Sequence, residues 1–304
     1  MSAVTEGVYG APHPDLAQVA ADARRFSPVV PGAEALEDAA DASLSRMVIA
    51  APPAVLDRRY VLAQALRTLK AGGELVALAP KDRGGARLRG ELEDLGCEVI
   101  ESAGRHQRIC LTRRPDSPVG LEAAIIQGGP QIVPGLRLWS QPGVFSWDRL
   151  DPGSAHLLDL AGDFSGRGAD LGCGIGVLSA AVLASPAVTA LTAIDNDRRA
   201  VLAAQHNLDD PRVNVIQHDL RAPPPGIESL NFVIMNPPFH DGGTEDRRLG
   251  QAFIARAASM LRRGGICRLV ANVGMPYEAP LAEHFAAVKP LGVKGGYKLF
   301  EARR

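Results

Sequence analysis

Residues 168 to 195 constrain the fold more than any other stretch of the chain. Gly168-Ala169-Asp170-Leu171 runs into Gly172-Cys173-Gly174-Ile175-Gly176, and VLSAAVLAS follows. This pattern is a short strand, a glycine turn and a helix. Val188 to Ile194 then reads as a strand ending in Asp195, and Arg198 to Asn207 as a helix. Val213 to Gln217 is a short strand leading to Asp219. Asn231 to Met235 is a buried strand ending at Asn236. Gln251 to Leu261 places Phe253, Ile254, Ala257, Ala258 and Leu261 at helical spacing, with Gly264-Gly265 expected to stop the helix and Ile266 to Ala271 as the next strand. Strands alternating with helices imply an α/β fold with a mostly parallel, doubly wound, Rossmann-like sheet.

The glycine turn is the candidate cofactor site. Glycines let the backbone turn tightly and approach a ligand without a Cβ in the way, and the helix that follows offers free N–H groups. Dinucleotide enzymes space their glycines G-x-G-x-x-G to hold a pyrophosphate. Here the spacing is G-x-G-x-G, preceded by the acid Asp170. S-adenosylmethionine (SAM) has no phosphate but has an ammonium, a carboxylate, a sulfonium and an adenosine. An acid suits the cationic end, and loop amides suit the carboxylate. Asp195, at the next strand end, is placed to accept both ribose hydroxyls. Asp219, at the third, is placed to accept from the adenine amine. A lone Asp in such a place is usually a helix cap or a solvated loop residue. Three acids at successive strand ends after this loop point instead to SAM. Asp170, Gly172, Cys173, Gly174, Gly176, Asp195, Asn196, Asp219, Leu220 and Asn236 form the expected cofactor set.

Asn236-Pro237-Pro238-Phe239 is the expected reaction centre. Two prolines fix φ and remove backbone donors, so nearby carbonyls are left free and rigidly aimed. An exocyclic amine is a poor nucleophile because its lone pair is delocalised into the ring. The Asn236 side-chain oxygen and the Pro237 carbonyl can each accept one N–H, turning the lone pair toward a methyl donor. Phe239 can stack on the ring face. Placement and electrostatics then suffice, without a covalent intermediate. On its own, Asn-Pro-Pro is an ordinary strand-ending turn. Its position one strand beyond the acid ladder makes it specific.

The first half of the chain holds a partial echo of the second. Met47-Val-Ile-Ala-Ala-Pro-Pro53 resembles Phe232-Val-Ile-Met-Asn-Pro-Pro238, and Leu69 to Leu78 resembles Leu261 to Val270. Arg105 to Arg114 resembles Gly295 to Arg304. Three matches in the same order imply a duplication. The first copy has no acidic glycine loop, Ala51 stands where the second has Asn236, and too few residues precede its central strand for a full cofactor half. It reads as a degenerate, non-catalytic methyltransferase-like α/β domain over residues 1–118. Residues 119–135 read as a linker and 136–304 as the catalytic domain.

Composition narrows the partners. A formal net charge of -1, with neither half basic, means that any nucleic-acid surface must be local. Arg247, Arg248, Arg256, Arg262, Arg263, Lys294 and Lys298 are the candidate phosphate contacts; the plainer alternative is ordinary solvated charge. The four cysteines form no CxxC pair and no zinc set, so no metal is expected. Isolated thiols, no apolar run long enough to span a bilayer and no signal-peptide pattern predict a cytoplasmic protein.

Asn236-Pro-Pro-Phe-His-Asp-Gly242, Val270-Ala-Asn-Val-Gly-Met-Pro-Tyr277 and Gly296-Tyr-Lys-Leu-Phe300 resemble the ribosomal RNA guanine-N2 methyltransferases of the small-subunit "C" type and their large-subunit "G" relatives. So does Pro142-Gly-Val-Phe-Ser-Trp-Asp-Arg-Leu-Asp-Pro-Gly-Ser154, a segment that in that family closes over the active site. The resemblance covers Leu136 to Arg304 well and the first half in architecture only. It implies a class I methyltransferase domain behind a degenerate one. It also implies methyl transfer from SAM to the N2 amine of a guanine in rRNA, 16S first, on naked RNA or a ribosomal subunit. The protein is expected to act as a monomer. On this resemblance Phe145, Asp151, Ser154 and His240 are the expected substrate or lid residues. The stretch before Asp170 (SGRGA) is less apolar than the family's usual strand.

Two other readings stay open on the residues. The same chemistry serves methylation of protein glutamine, DNA adenine or 23S rRNA, although the glutamine and adenine enzymes more often carry Tyr in the fourth position of the motif. The chain could also be a non-catalytic SAM- or RNA-binding scaffold, against which the intact Asn236 and acid ladder argue.

Overall fold

A computed structural model describes residues 5–160, 163–238, 240–241, 244–245 and 247–304, with nothing said of the side chains of 240, 241, 244, 245 and 247. The chain divides into two compact units, Met1–Pro130 and Gln131–Arg304. The first contains β1 (Glu6–Tyr9), β2 (Arg24–Phe26), β3 (Leu44–Ala50), α1 (Val55–Thr68), β4 (Leu69–Pro80), α2 (Ala86–Glu93), β5 (Val99–Gly104), β6 (Gln107–Arg113) and α3 (Leu121–Gly128). The stretch read from sequence as a linker thus carries a helix, and α3 packs on α1.

The second unit begins with β7 (Gln131–Val133), β8 (Leu138–Ser140) and α4 (Pro152–Leu158). The alternating core follows: β9 (Gly166–Leu171), α5 (Val177–Leu183), β10 (Val188–Asp195), α6 (Arg198–Asn207), β11 (Val213–Gln217) and β12 (Leu230–Met235). A short hairpin of β13 (His240–Asp241) and β14 (Thr244–Glu245) leads to α7 (Arg247–Met260), β15 (Leu261–Asn272), α8 (Glu278–His284), β16 (Ala287–Lys294) and β17 (Tyr297–Arg303). The sheet order is β11-β10-β9-β12-β15-β17-β16, parallel as far as β15 and antiparallel after it. The apolar runs of β9 and β12 lie at its centre and are buried on both faces, as parallel strands between helix layers must be.

The polar, glycine-rich start of β9 is a packing device. A Cβ on Gly168 would lie 2.1 Å from the Phe232 ring, and one on Gly166 would lie 2.5 Å from the Asn231 side chain. The glycines make room for Phe232 to stack on Phe164 at 4.3 Å between centroids, and Asn231 Oδ1 accepts the Arg167 N–H. One expectation needs correction. Helix α7 ends at Met260, before Gly264, because Leu261 already pairs with Leu230; Gly264, at φ 75°, turns the chain within β15 instead.

The first unit repeats the second strand for strand. Its order, β2-β1-β3-β4-β6-β5, matches β10-β9-β12-β15-β17-β16 with the same parallel and antiparallel senses, lacking a counterpart of β11. Even the irregularity agrees. Leu44 pairs with Leu69 before a register shift to Arg46–Glu74, as Leu230 pairs with Leu261 before a shift to Phe232–Ile266. The pairing places Ala50, rather than the Ala51 read from the sequence, level with Asn236. It also sets Val8 level with Asp170 and Phe26 level with Ile194, so that Gly10 and Ser27 occupy the positions of Gly172 and Asp195. Gly10 donates its N–H to Phe26 O and Gly172 to Ile194 O, both with positive φ. The 43 residues before the first unit's central strand, β3, therefore hold two strands that their composition did not announce.

Candidate active site

Two elements bring the sequence-derived motifs together. Strand β9 ends at Leu171, level with Met235 of β12, so the glycine turn and Asn236 leave the sheet side by side. A Cβ on Gly172 would stand 3.9 Å from Asn236 O and 3.3 Å from the Phe253 ring. Gly172, Gly174 and Gly176 all adopt positive φ, at 72°, 53° and 91°. An L side chain at any of the three would strain the turn.

Asp170 is completely buried. Its Oδ2 accepts from Ser179 Oγ at 2.7 Å, while Oδ1 has no hydrogen-bond partner. Burial pushes this carboxyl up to about 7, and the neighbouring Asp195 charge adds to the rise. Asp195 braces the turn: Oδ2 accepts the Gly174 N–H at 2.9 Å and Oδ1 the Asp197 N–H at 2.9 Å. Enclosure raises its pKa to about 6, against the lowering effect of those amides. Cys173 is buried, and desolvation holds its thiol well above the usual range, so it stays protonated. Asn196 accepts from Gln217 Nε2 through its carbonyl at 2.9 Å. Leu220 is buried beneath the third strand end.

Some expected donors and acceptors are already engaged. The amides of Gly172 and Cys173 both donate to Ile194 O, and that of Gly176 to Cys173 O. A carboxylate arriving at the turn would find its free donors in the first turn of α5. The Asp219 carboxylate is held by Arg221, whose N–H, Nε and Nη2 all donate to it, and this contact lowers its pKa.

On the substrate side, Asn236 Nδ2 donates to Asp151 Oδ2 at 2.7 Å and to Ser154 Oγ at 3.0 Å. Pro237 is buried, and Pro238 is partly exposed. Phe145 is 60 % exposed. The residues expected as a lid are thus split: Asp151 and Ser154 meet Asn236, and Phe145 faces solvent. Phe239, and the side chain of His240, lie outside the described residues. So does the side chain of Arg247 among the basic candidates. Arg248, Arg262, Arg263 and Lys294 are exposed, whereas Arg256 donates to the carbonyls of Leu220 and Arg221. Lys298 is buried and paired with Glu278 at 2.6 Å, which removes it from the candidates.

Four side chains of the site were not among the expected site residues. Ser179 satisfies half of Asp170, and Arg221 covers Asp219. Phe253 floors the glycine turn. Asn207 accepts the Trp139 N–H and donates to the carbonyls of Trp139 and Ile175, tying β8 to the turn. A polar residue closing an otherwise amphipathic helix was the only signal for Asn207. Among the described residues no helix is long and apolar enough to cross a membrane, and no group of three His, Cys, Asp or Glu could hold a metal ion.

The chain resembles known proteins in sequence and in fold. The family described as Methyltransferase small domain matches residues 135–301. Ribosomal RNA small subunit methyltransferase C of Pseudomonas paraeruginosa is 33% identical over 81% of this chain and 75% of its own length. The protein of the same name from Pseudomonas syringae pv. tomato is 32% identical over 94% of this chain and 86% of its own length. Among solved structures, a T. Thermophilus 16S rRNA N2 methyltransferase (RsmC), in complex with AdoMet and guanosine, superposes with a TM-score of 0.79. It is 24% identical, over 99% of this chain and 88% of that one, and shares the two-domain fold. With its glycine turn, its buried Asp170 and its Asn-Pro-Pro corner, the chain belongs to the methyltransferase small domain family, in the company of the proteins named ribosomal RNA small subunit methyltransferase C.

Proposed function

We propose that this protein transfers a methyl group from SAM to the exocyclic N2 amine of a guanine in ribosomal RNA, 16S rRNA first. The observation that carries the reading is the adjacency of two features. A buried acid with a free oxygen sits behind a positive-φ glycine turn, and an Asn-Pro-Pro corner leaves the sheet beside it. The relatives' names supply the substrate class. The likeness to the solved 16S rRNA enzyme supports the fold.

The residues fit SAM. An ammonium needs a desolvated anion, and Asp170 Oδ1 is a buried acceptor with nothing to accept from. Asp195 is already held by two amides and keeps lone pairs for a ribose diol. Asp219 reaches the adenine amine once Arg221 yields. When bound, SAM supplies an electrophilic methyl on its sulfonium. Asn236 Oδ1 and the Pro237 carbonyl accept the two amine hydrogens and aim the nitrogen lone pair. The prolines hold that corner rigid, so little reorganisation accompanies transfer. The amine loses its proton after transfer, and no general base is required. A paired guanine is first turned out of its helix.

In our reading the first unit is a degenerate, non-catalytic copy, acting as a single chain with the second and helping to grip RNA. Val8 and Ala50 at the positions of Asp170 and Asn236 support this. So does Arg58. It is fully buried, donates to Pro53 O at 2.7 Å and Pro52 O at 3.1 Å, and forms a bidentate pair with Glu91. The carbonyls beside the first unit's paired prolines are therefore occupied.

The test is transfer of radiolabel from SAM to rRNA or to isolated small subunits, with nucleoside mass spectrometry of the product. Formation of N2-methylguanosine that falls steeply with Asn236→Ala supports the proposal. Transfer to a release-factor peptide or to DNA but not to rRNA refutes it.

A further inference from the structure

An asparagine side chain presents either an oxygen or an NH2 group to a ligand, and the two orientations are nearly identical in shape. What fixes Asn236 is its surroundings. A carboxylate can only accept hydrogen bonds. Asp151 Oδ2 lies 2.7 Å from the carboxamide, so the group facing it must be the NH2. Ser154 Oγ, at 3.0 Å, is a second acceptor for the same NH2. That end of the carboxamide is thereby engaged, and Oδ1 is left at its other end. The same Asp151 oxygen accepts the Ser154 N–H at 2.7 Å, capping α4 and holding the hydroxyl in place. Asp151 is nine-tenths buried, and a Cβ on Gly153 would stand 3.0 Å from that oxygen and 2.8 Å from the Tyr297 ring. The clamp has no slack.

We propose that Asp151, seconded by Ser154, is the positioning residue that makes Asn236 an obligate acceptor and so confines the site to substrates that offer an N–H. A ring nitrogen or carbonyl in the same place would face an oxygen and be rejected. The inference rests on the proposed amine methylation and deepens it: the reacting amine is selected as a donor before it reacts.

A double-mutant cycle on the full chain tests it, with SAM and small subunits as substrates. Asp151→Ala is expected to lower kcat by about 10- to 100-fold while KM for SAM moves by less than about threefold. Asp151→Asn retains an acceptor for both partners and is expected to recover all but a few-fold of that loss. In the Asn236→Ala background, Asp151→Ala should cost nothing further, because its effect runs through Asn236. Additive losses, or Asp151→Asn as impaired as Asp151→Ala, would overturn the proposal. If Asp151→Ala fails to fold, Asp151→Ser keeps a capping oxygen but not the reach to Nδ2, and takes its place in the cycle. A second readout needs no RNA. The side-chain NH2 resonances of Asn236, assigned by 15N NMR, should move apart from those of free amides and collapse toward them in the Asp151 variant. Unmoved resonances would sink the clamp even if rRNA is methylated. Moved resonances with no transfer to rRNA would keep the clamp and discard the substrate.

Discussion

The carboxylate of Asp151 and the carboxamide of Asn236 meet at 2.7 Å across 85 residues of sequence. This contact joins the segment before the glycine turn to the reacting corner. It also leaves little room at Gly153, because any side chain there would push on Asp151 Oδ2 and the Tyr297 ring. Gly153→Ala is expected to cut kcat about tenfold with SAM affinity nearly intact, as read by steady-state kinetics and calorimetry.

Asp170 gives a pH signature. Its folded pKa, about 7, is raised above the ordinary carboxylate value by burial. The folded protein therefore holds this proton more tightly than the unfolded chain. Stability without cofactor should fall as pH rises from about 4 to about 7, since each pKa unit is worth about 1.4 kcal/mol. Asp170→Asn should flatten that fall and raise the melting temperature above pH 7. The same variant should lose SAM affinity by about 100-fold. Thermal melts from pH 5 to 8, paired with SAM titrations, check both halves; a variant that melts lower at pH 8 contradicts the account.

Asp219 and Arg221 should behave oppositely toward the cofactor. Asp219→Ala removes the proposed adenine acceptor and is expected to weaken SAM about tenfold. Arg221→Ala frees the carboxylate and should leave SAM binding unchanged or up to threefold tighter. Titration of both variants distinguishes a ligand from a loop-former, since an Asp219 that only shapes its turn would leave affinity unaltered in each.

In the first unit, Arg58→Ala strands Glu91 without its buried partner, a loss of about 3–5 kcal/mol. Denaturant unfolding should show the first unit melting early, with SAM affinity of the second retained.

Much of the second unit was legible in the sequence because its elements report themselves locally. The bounds of α6 and β11 coincide with those read from periodicity, Arg198–Asn207 and Val213–Gln217. The first unit was less legible. Strands β1 and β2 are three or four residues long, and no helix joins them to supply an amphipathic signal. Gly7 also interrupts β1, leaving room for the Met47, Leu44 and Phe26 side chains. The candidate site divides the same way. Asp170, the glycines, Asp195 and Asn236 follow from motif and position. The contact of Asp151 with Asn236 depends on how a distant segment folds back, and no local spacing encodes it.

The twin sheets carry a cost during folding. Strands β3 and β12 have nearly the same apolar face, and their neighbours β4 and β15 share one register, offset included. A strand from one half therefore offers an acceptable edge to the other, the hazard typical of tandem repeats. Synthesis from the N-terminus avoids it, since β6 completes the first sheet before β12 has been made. Full-length chain diluted from denaturant should consequently regain native structure in lower yield than the same chain emerging from a translating ribosome.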